Sequence, residues 1–406
     1  MRSFSLLARL LLAASIAACT PAEKGIFGEP EVLPTPTTGN ISGPRLSDGE
    51  GDSLVLSWME SRQSETDLMF AVYEADGFSA SRSVVTEPRM FVNWADLPSV
   101  QHVSQDHWLA HWLRYSADKT YSYDVVVSQS HDGGNSWSEP VAAHTDGTPT
   151  EHGFVSLYPD PEGVALLWLD GRDTASEPGE NILDTSMTLR SAVITPDGKR
   201  TREQLVDDSV CDCCQTDVAV TASGPVAVYR DRTADEIRDI YVSRFVDGAW
   251  QAGVPLHADN WRIPGCPVNG PSIVAQNDRV AVAWFTAADN KPSVRIAFSN
   301  DGAVTFGEAI EIATGRLAGY VGLAIINDDT LAVSWVSRTG DGKNSLNVRD
   351  VSFDGSVGPV HPVAAIEQLR VFPQLAYRDD NLILAWTDEV DNVREMRVAR
   401  VPVHSR

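Results

Sequence analysis

A short apolar strand that ends in an aromatic residue recurs seven times along this chain of 406 residues. The copies read LVLSW, WLAHW, VALLW, VAVY, VAVAW, LAVSW and LILAW, and their aromatic residues are Trp58, Trp112, Trp168, Tyr229, Trp284, Trp335 and Trp386. The intervals are 54, 56, 61, 55, 51 and 51 residues. Four strands in about 50 residues is the period of a β-propeller blade. We therefore predict an all-β fold, a single β-propeller of four-stranded blades, with seven blades favoured and six as the alternative.

Asp-Gly pairs follow the third strand of most copies and predict tight hairpins, because Asp-Gly supplies the positive φ that such turns need. The six pairs begin at Asp76, Asp132, Asp197, Asp247, Asp301 and Asp354. The seventh copy runs out of chain before a fourth strand, and strand-like residues near Glu29 to Leu33 are available to supply it. We expect N- and C-terminal strands to close the ring and leave no open edge.

The first residues have the features of an export signal. MRSFSLLARLLLAASIAAC has arginines near its start, an apolar run too short to span a bilayer, and small residues before Cys19. The ending Ile-Ala-Ala-Cys resembles the lipobox of bacterial lipoproteins, which implies lipidation of Cys19; ordinary signal cleavage is the alternative. We predict a signal peptide at 1–18, a lipidated tether at 19–28 and the propeller at 29–406. This organisation implies an outer-membrane lipoprotein that faces the periplasm or the cell surface.

The chain is acidic, with 32 basic and 56 acidic side chains and a formal net charge of −24. Because like charges repel, this balance argues against nucleic acid or an anionic lipid surface as the main partner. The expected membrane contact is therefore the lipid anchor alone. A protein of the cell envelope is a further candidate partner.

One hairpin resembles a known family. SHDGGNSW at Ser130–Trp137 resembles the Asp-box, or BNR repeat, of sialidase-like propellers, and SNDGAVTF at Ser299–Phe306 is a weaker copy. The box is a folding device, so the resemblance implies the fold and not one activity. True sialidases grip the substrate carboxylate with three arginines and use a Tyr nucleophile helped by a Glu. WRIP at Trp261–Pro264 looks like their first arginine signature, although it stands in the fifth copy and not the first.

The loops between blades and the loops between second and third strands lie on one face of a propeller. Trp, His, Cys and Arg residues, which ordinary turns do not need, concentrate in these loops. We therefore expect the functional site on that face. There, Arg172, Arg230 and Arg262 are candidates for binding the carboxylate of an acidic glycan or another anionic small ligand. Asp96 and Glu151 are candidates for handling protons, with turn capping as the alternative for Asp96. The sequence narrowly favours this sialidase-like exo-glycosidase, without assigning a Tyr–Glu pair.

The cysteines suggest a second hypothesis, a non-enzymatic binding propeller. Cys211, Cys213, Cys214 and Cys266 occupy two successive blade connections. In an oxidising compartment they are expected to form two disulfides that tie the loops, for example one from each adjacent cysteine to Cys211 and Cys266. The alternative is a thiolate site for copper(I) or zinc, with His152 as a further ligand.

Overall fold

Seven antiparallel sheets make up the computed structural model of the protein, which describes residues 25–37, 39–74, 77–174, 185–340, 343–367, 370–390 and 393–404. Each sheet has four main strands, and two sheets carry one short additional strand. The neighbouring innermost strands of most blades contact each other around a central axis. The predicted seven-bladed propeller is confirmed. Cys19, the predicted signal peptide and Asp76 lie outside the described residues.

The strands are numbered in chain order, and β1 (Glu31–Leu33) belongs to the last blade. Blade 1 contains β2 (Ile41–Asp48), β3 (Leu54–Arg62), β4 (Glu65–Glu74), β5 (Gly77–Phe78) and β6 (Arg82–Glu87). Blade 2 contains β7 (Ser99–Ser104), β8 (His107–Tyr115), β9 (Tyr123–Ser130) and β10 (Val141–Ala142). Blade 3 contains β11 (His152–Asp160), β12 (Gly163–Asp170), β13 (Met187–Ile194) and β14 (Arg200–Val210).

Blade 4 contains β15 (Asp217–Thr221), β16 (Gly224–Arg230), β17 (Ile240–Val246), β18 (Ala249–Trp250) and β19 (Val254–Pro255). Blade 5 contains β20 (Ser272–Gln276), β21 (Arg279–Thr286), β22 (Ser293–Ser299) and β23 (Ile310–Thr314). Blade 6 contains β24 (Leu317–Ile325), β25 (Thr330–Arg338), β26 (Asn344–Ser352) and β27 (His361–Ile366). Blade 7 contains β28 (Gln374–Arg378), β29 (Asn381–Val390) and β30 (Val393–Pro402), followed by β1.

Helix is almost absent from the described residues. They contain 3₁₀ turns at Arg172–Thr174 and Ala288–Asn290. Within the same residues, no helix is long and apolar enough to cross a membrane.

The ring is closed by strands from both ends of the chain. β1 pairs antiparallel with β30, in the register Glu31 with Arg400, Val32 with Ala399 and Leu33 with Val398. β1 therefore takes the outer position of blade 7, as the missing fourth strand of the seventh copy predicts. This pairing covers an edge that would otherwise offer unpaired backbone groups.

The repeated aromatic residues lie within the second strands and form the packed layers between blades. Their exposed fractions run from 0% to 3%. Trp168, for example, packs in one apolar cluster with Leu109 and Val125 from the preceding blade. Burying such side chains between neighbouring sheets removes a large apolar area from water, which stabilises the fold. The repeated aromatics are core residues and not a binding platform.

The hairpin at Ser130–Trp137 is held by one carboxylate. Asp132 accepts hydrogen bonds from the backbone N–H of Asn135 at 3.1 Å and of Ser136 at 2.8 Å, and from the hydroxyls of Ser130 at 2.8 Å and Ser136 at 2.6 Å. These bonds lower the pKa of Asp132 to about 2, the one from the Ser136 hydroxyl most strongly. Asp301 accepts an equivalent set from Ser299, Val304 and Thr305.

We call the face that carries the blade-to-blade loops and the second-to-third-strand loops the site face. The axis holds a cavity that extends to this face and is lined by residues from all seven blades, among them Arg45, Asp96, Phe154, Gln215, Gly270, Tyr320 and Phe372. The loops that hold the candidate residues thus surround one central opening.

The closure by β1 can be tested with two neighbouring residues. Leu33 packs against the apolar cluster under blades 1 and 7, whereas Val32 is 67% exposed. We expect Leu33→Asp to lower the free energy of unfolding by about 2 kcal/mol, because it places a charge against that core. Val32→Asp is the control and should change it by less than about 0.5 kcal/mol. Urea unfolding followed by tryptophan fluorescence measures both, and equal effects would contradict the closure.

Candidate functional site

The four cysteines lie in two loops of the site face, at the starts of blades 4 and 5. The Sγ of Cys211 lies 3.1 Å from that of Cys214 and 3.8 Å from that of Cys213. These three Sγ atoms lie within 4.8 Å of one another, and the thiol of Cys266 lies close enough to that of Cys213 for each to affect the pKa of the other. All four are free thiols. The fold therefore gathers three sulfur donors at one point, with the fourth beside them.

A close contact between the two loops brings the sulfurs together. Gln215 donates from Nε2 to the carbonyl of Ala95 at 2.8 Å and accepts at Oε1 from the N–H of Gly270 at 3.2 Å. A Cβ at Gly270 would lie 2.1 Å from the carbonyl oxygen of Gln215, so any side chain there would push the loops apart. Glycine at 270 is thus required for this approach.

Two arginines face the sulfur atoms. Arg238 donates from Nη1 to the Sγ of Cys211 at 3.3 Å and is held by Glu236, 2.8 Å from its Nη2. Burial acts to raise the pKa of the Cys211 thiol, but hydrogen bonds from the neighbouring thiols and the charges of Arg238 and Arg230 bring that pKa well below its ordinary value. Burial raises the pKa of Cys214. Cys211 is therefore the sulfur most easily held as a thiolate, the form that binds metals and attacks electrophiles.

Arg230 binds backbone carbonyl groups of blades 4 and 5. It is 2% exposed, and its guanidinium donates to the carbonyls of Asn269 at 2.9 Å, Arg238 at 2.6 Å and Phe285 at 2.8 Å. It also stacks over Trp261, with 4.9 Å from Cζ to the ring centroid. Its position explains how blades 4 and 5 are held together beneath the cysteines.

The other two candidate arginines have different surroundings. Arg172 forms two bonds of 2.7 Å with Asp170 and one of 2.9 Å with Glu203. Arg262 is exposed, and its backbone pairs with that of Ile237. The structure therefore places Arg172 at the end of β12, Arg230 under the cysteine loops and Arg262 in solvent, each with its own neighbours.

A hydrogen-bonded Tyr–Glu pair lies beside Asp96. The hydroxyl of Tyr123 donates to Oε2 of Glu151 at 3.2 Å. Asp96 accepts at Oδ2 from the N–H of Phe154 at 2.8 Å, while its buried Oδ1 has no hydrogen-bond partner among the described residues. Burial raises the pKa of Asp96 and that of Glu151 to about 7 each, and it raises the pKa of Tyr123 well above its ordinary value. Asp96 and Glu151, the predicted proton-handling candidates, thus lie near each other.

Tyr123 was not among the residues that the sequence singles out. It is the first residue of β9 and is 1% exposed, stacked on Phe91 at 4.0 Å between ring centroids. In the sequence it looks like an ordinary aromatic residue of an alternating strand. Its partner Glu151 comes from the next blade, 28 residues later, so linear spacing carries no signal for the pair.

His152 lies in a group of imidazoles and carboxylates and not in the sulfur group. Its ring stacks on that of His144, with 3.7 Å between centroids. Its Nε2 lies 3.3 Å from Asp146 and 3.6 Å from Asp170. The sulfur cluster within 4.8 Å consists of cysteines alone among the described residues.

Solved structures share this fold at low sequence identity. A protein of unknown function from Dyadobacter fermentans DSM 18053 is 12% identical with a TM-score of 0.53, over 93% of this chain and 98% of that one. The polysaccharide lyase Uly1 is 8% identical with a TM-score of 0.52, over 90% of both chains. The phage phi92 endosialidase is 8% identical with a TM-score of 0.50, over 94% and 70%.

At these identities the likeness concerns the fold alone, which is a β-propeller. No family profile matches the sequence, and no curated protein matches it.

The role of Arg230 can be tested by substitution. Arg230→Met leaves three carbonyl oxygens in a buried position without their donors, so we expect the free energy of unfolding to fall by about 3 kcal/mol. The exposed Arg262→Met is the control and should be nearly neutral. Chemical denaturation measures both. An Arg230→Met variant as stable as the wild type would contradict this stabilising role.

The raised pKa of Asp96 predicts a pH dependence. Burial raises this pKa from 3.8 to about 7. Below pH 3.8 Asp96 is protonated in the folded and the unfolded state, so its burial as a carboxylate does not reduce stability. Between pH 3.8 and about pH 7 the unfolded state loses the proton first, and the folded protein becomes progressively less stable. Asp96→Asn keeps an acceptor for Phe154 but cannot ionise. Its stability relative to the wild type should therefore be higher at pH 8 than at pH 5.

Asp132→Asn is the control for this experiment. The pKa of Asp132 lies below its ordinary value, so its effect should be constant between those two pH values. Urea unfolding at both pH values measures the difference, and an Asp96→Asn effect that does not change with pH would contradict the prediction.

Proposed function

We propose that this protein binds one soft metal ion, Cu(I) or Zn²⁺, through Cys211, Cys213 and Cys214, with Cys266 as a fourth ligand. The observation that carries the proposal is the group of three free Sγ atoms within 4.8 Å of one another. Thiolates are the ligands that Cu(I) and Zn²⁺ prefer in proteins. The C-x-C-C loop thus supplies three donors, and the next blade supplies the fourth.

The distances are close to those of a filled thiolate site. Four sulfurs about 2.3 Å from a tetrahedral Zn²⁺ lie about 3.8 Å apart. The separation of Cys211 and Cys213 is 3.8 Å, and that of Cys211 and Cys214 is 3.1 Å. Binding therefore needs the second pair to move apart by well under 1 Å, roughly the freedom of a side-chain rotation.

The charges around the sulfurs suit such a centre. Three thiolates with Cu(I), or four with Zn²⁺, carry a net charge of −2. Arg238 contacts Cys211 directly, and Arg230 lies beneath the same loop. Two buried cations thus offset the charge of the filled site, which lowers the cost of placing it away from water. Cys266 is exposed and gives an incoming ion a first contact.

We place this function outside the inner membrane. The proposal rests on the signal-like residues 1–18 and on Cys19 as a lipidation site. In an outer-membrane lipoprotein, the cysteine face would meet periplasmic or extracellular metal, or a partner protein of the envelope that exchanges it.

A second candidate function is hydrolysis of an acidic glycan. The Tyr123–Glu151 pair beside Asp96 favours it, because sialidase-like chemistry uses a Tyr helped by a Glu, together with an acid. A pKa of about 7 lets Asp96 keep its proton near neutral pH, as a general acid must. Uly1 is a polysaccharide lyase and the phi92 protein is an endosialidase, and both activities are compatible with this candidate. It stands second because Arg172 and Arg230 have protein partners, and Tyr123 and Asp96 are 1% and 2% exposed.

Metal analysis tests the first candidate. Protein purified without chelator should carry close to one copper or zinc ion per chain, and Cys214→Ser should carry none. Reduced wild-type protein should also take Cu(I) from a chromophoric chelator, with affinity reduced about 100-fold or more in Cys214→Ser. Arg262→Ala, on the same face, is the control and should behave as the wild type.

The absence of both metal and Cu(I) competition would overturn the metal function. Mass spectrometry after alkylation would then be expected to find two disulfides, one between Cys211 and Cys214 and one between Cys213 and Cys266. The cysteines would in that case be loop staples.

Activity assays test the second candidate. A fluorogenic sialoside and a panel of acidic glycosides are incubated with the wild type, Tyr123→Phe and Glu151→Gln. If the enzyme is a glycosidase, Glu151→Gln should lose about 10³-fold in rate. Tyr121→Phe, which changes a 61% exposed tyrosine two residues away, should keep full activity. No hydrolysis by the wild type on any substrate would contradict this candidate and leave the metal function unaffected.

A further inference from the structure

Two buried histidines lie face to face between blades 2 and 3, apart from the sulfur cluster. His144 follows β10 and His152 begins β11, and their ring planes are 11° from parallel. Their side chains are 3% and 0% exposed. Asp124, near the start of β9, lies beside both rings and is 30% exposed. This group joins two blades and reaches solvent only through Asp124.

One nitrogen of each imidazole faces Asp124. Its Oδ1 lies 3.7 Å from Nε2 of His144 and 3.8 Å from Nδ1 of His152. These three atoms lie within 4.8 Å of one another. Donors about 2.1 Å from a tetrahedral divalent ion are about 3.4 Å apart, so the group needs to contract by a few tenths of an ångström to hold one.

The other nitrogen of each imidazole faces a buried carboxylate. Asp146 lies 2.7 Å from Nδ1 of His144 and 3.3 Å from Nε2 of His152, and Asp170 lies 3.6 Å from the latter. Asp170 is itself held by Arg172 and by the indole N–H of Trp168 at 2.8 Å. A carboxylate on the far nitrogen fixes the tautomer and orientation of a metal-binding histidine. Arg172 thus pairs with the carboxylates on the far side of the two rings.

His144 is left with an unsatisfied atom. When its Nδ1 donates to Asp146, its Nε2 carries a lone pair that points towards Asp124. This buried Nε2 has no hydrogen-bond partner among the described residues. Two acceptors that face each other at 3.7 Å repel unless a proton or a metal ion lies between them.

A related pair lies in the connection from blade 4 to blade 5, and it lacks the other ligands of the group between blades 2 and 3. His257 and Asp259 have the same His-x-Asp spacing, with 2.8 Å from Nδ1 to Oδ1, and Asp259 accepts from the indole of Trp284. There, Arg295 pairs with Asp259. The His-x-Asp pair is therefore a repeated structural element. At the boundary of blades 2 and 3 a second imidazole, His152, and an outer carboxylate, Asp124, are added to it.

We propose that Asp124, His144 and His152 form a second metal site, for a borderline divalent ion such as Zn²⁺ or Ni²⁺. Asp146 and Asp170 hold the two imidazoles from behind, and water on the open side of Asp124 completes the coordination. Nitrogen and oxygen donors suit such ions, in contrast to the sulfur donors of the first site. Binding tilts the stacked rings so that the ion lies in the plane of each, and His152 exchanges its 3.2 Å contact with the Tyr123 carbonyl for the ion.

The site is tested in a tag-free Cys214→Ser background, so that sulfur binding does not contribute. Calorimetric titration of the chelator-treated protein with Zn²⁺ should give one ion per chain. His144→Ala and Asp124→Asn should each weaken binding about 100-fold, and Asp146→Asn about 10-fold. His257→Ala is the matched control and should bind as the background does.

Two further measurements keep the test decisive. Circular dichroism of each variant shows whether it is folded, and Co²⁺ titration gives a visible absorption whose intensity reports the coordination. Zn²⁺ binding unchanged by His144→Ala in a folded protein would overturn the proposal. The absence of Zn²⁺ binding by the Cys214→Ser protein would overturn the proposal as well. The two histidines would then share a proton with Asp146. Neither result bears on the sulfur site.

Discussion

No blade of this propeller has a core of its own, and the rest of the structure depends on that constraint. Each second strand is buried only because neighbouring sheets lie over it, as Leu109 and Val125 of blade 2 lie over Trp168 of blade 3. The sheets must therefore continue around the axis until the last one covers the first. The pairing of β1 with β30 completes this circle. The loops on the site face inherit fixed positions from the closed ring, including the two that bring the cysteines together.

The repeat could be predicted from the sequence because its signals are local. An apolar strand that ends in an aromatic residue, followed by Asp-Gly, marks a blade wherever it occurs, and the missing last strand pointed to β1. The partners within the site could not be predicted in this way. Arg230 binds carbonyls 39 and 55 residues away, and Glu151 meets Tyr123 across a blade boundary. Such contacts depend on how neighbouring sheets are rotated, which no short sequence pattern records.

On the site face, the two buried or half-buried candidate arginines bind groups of the protein itself. In the sequence, Arg172 and Arg230 look like free cations in an excess of negative charge. In the structure, Arg172 neutralises Asp170 and Glu203, while Arg230 satisfies three carbonyl oxygens. Both arginines stabilise loops: Arg230 lies under the loops that carry the thiols, and Arg172 binds a carboxylate behind the imidazoles. The groups on this face that remain available to a ligand are therefore sulfur, imidazole and carboxylate side chains.

The strand that closes the ring also determines where the preceding chain leaves it. β30 runs from the site face to Pro402 at the opposite face, and the residues just before β1 lie beside its end, with Phe27 paired to Val403 and Gly28 bonded to Pro402. Any tether that continues from Gly25 towards the N-terminus therefore starts at the outer rim and on the back of the disc. A propeller held in this way presents its cysteine and histidine loops away from the surface to which it is attached.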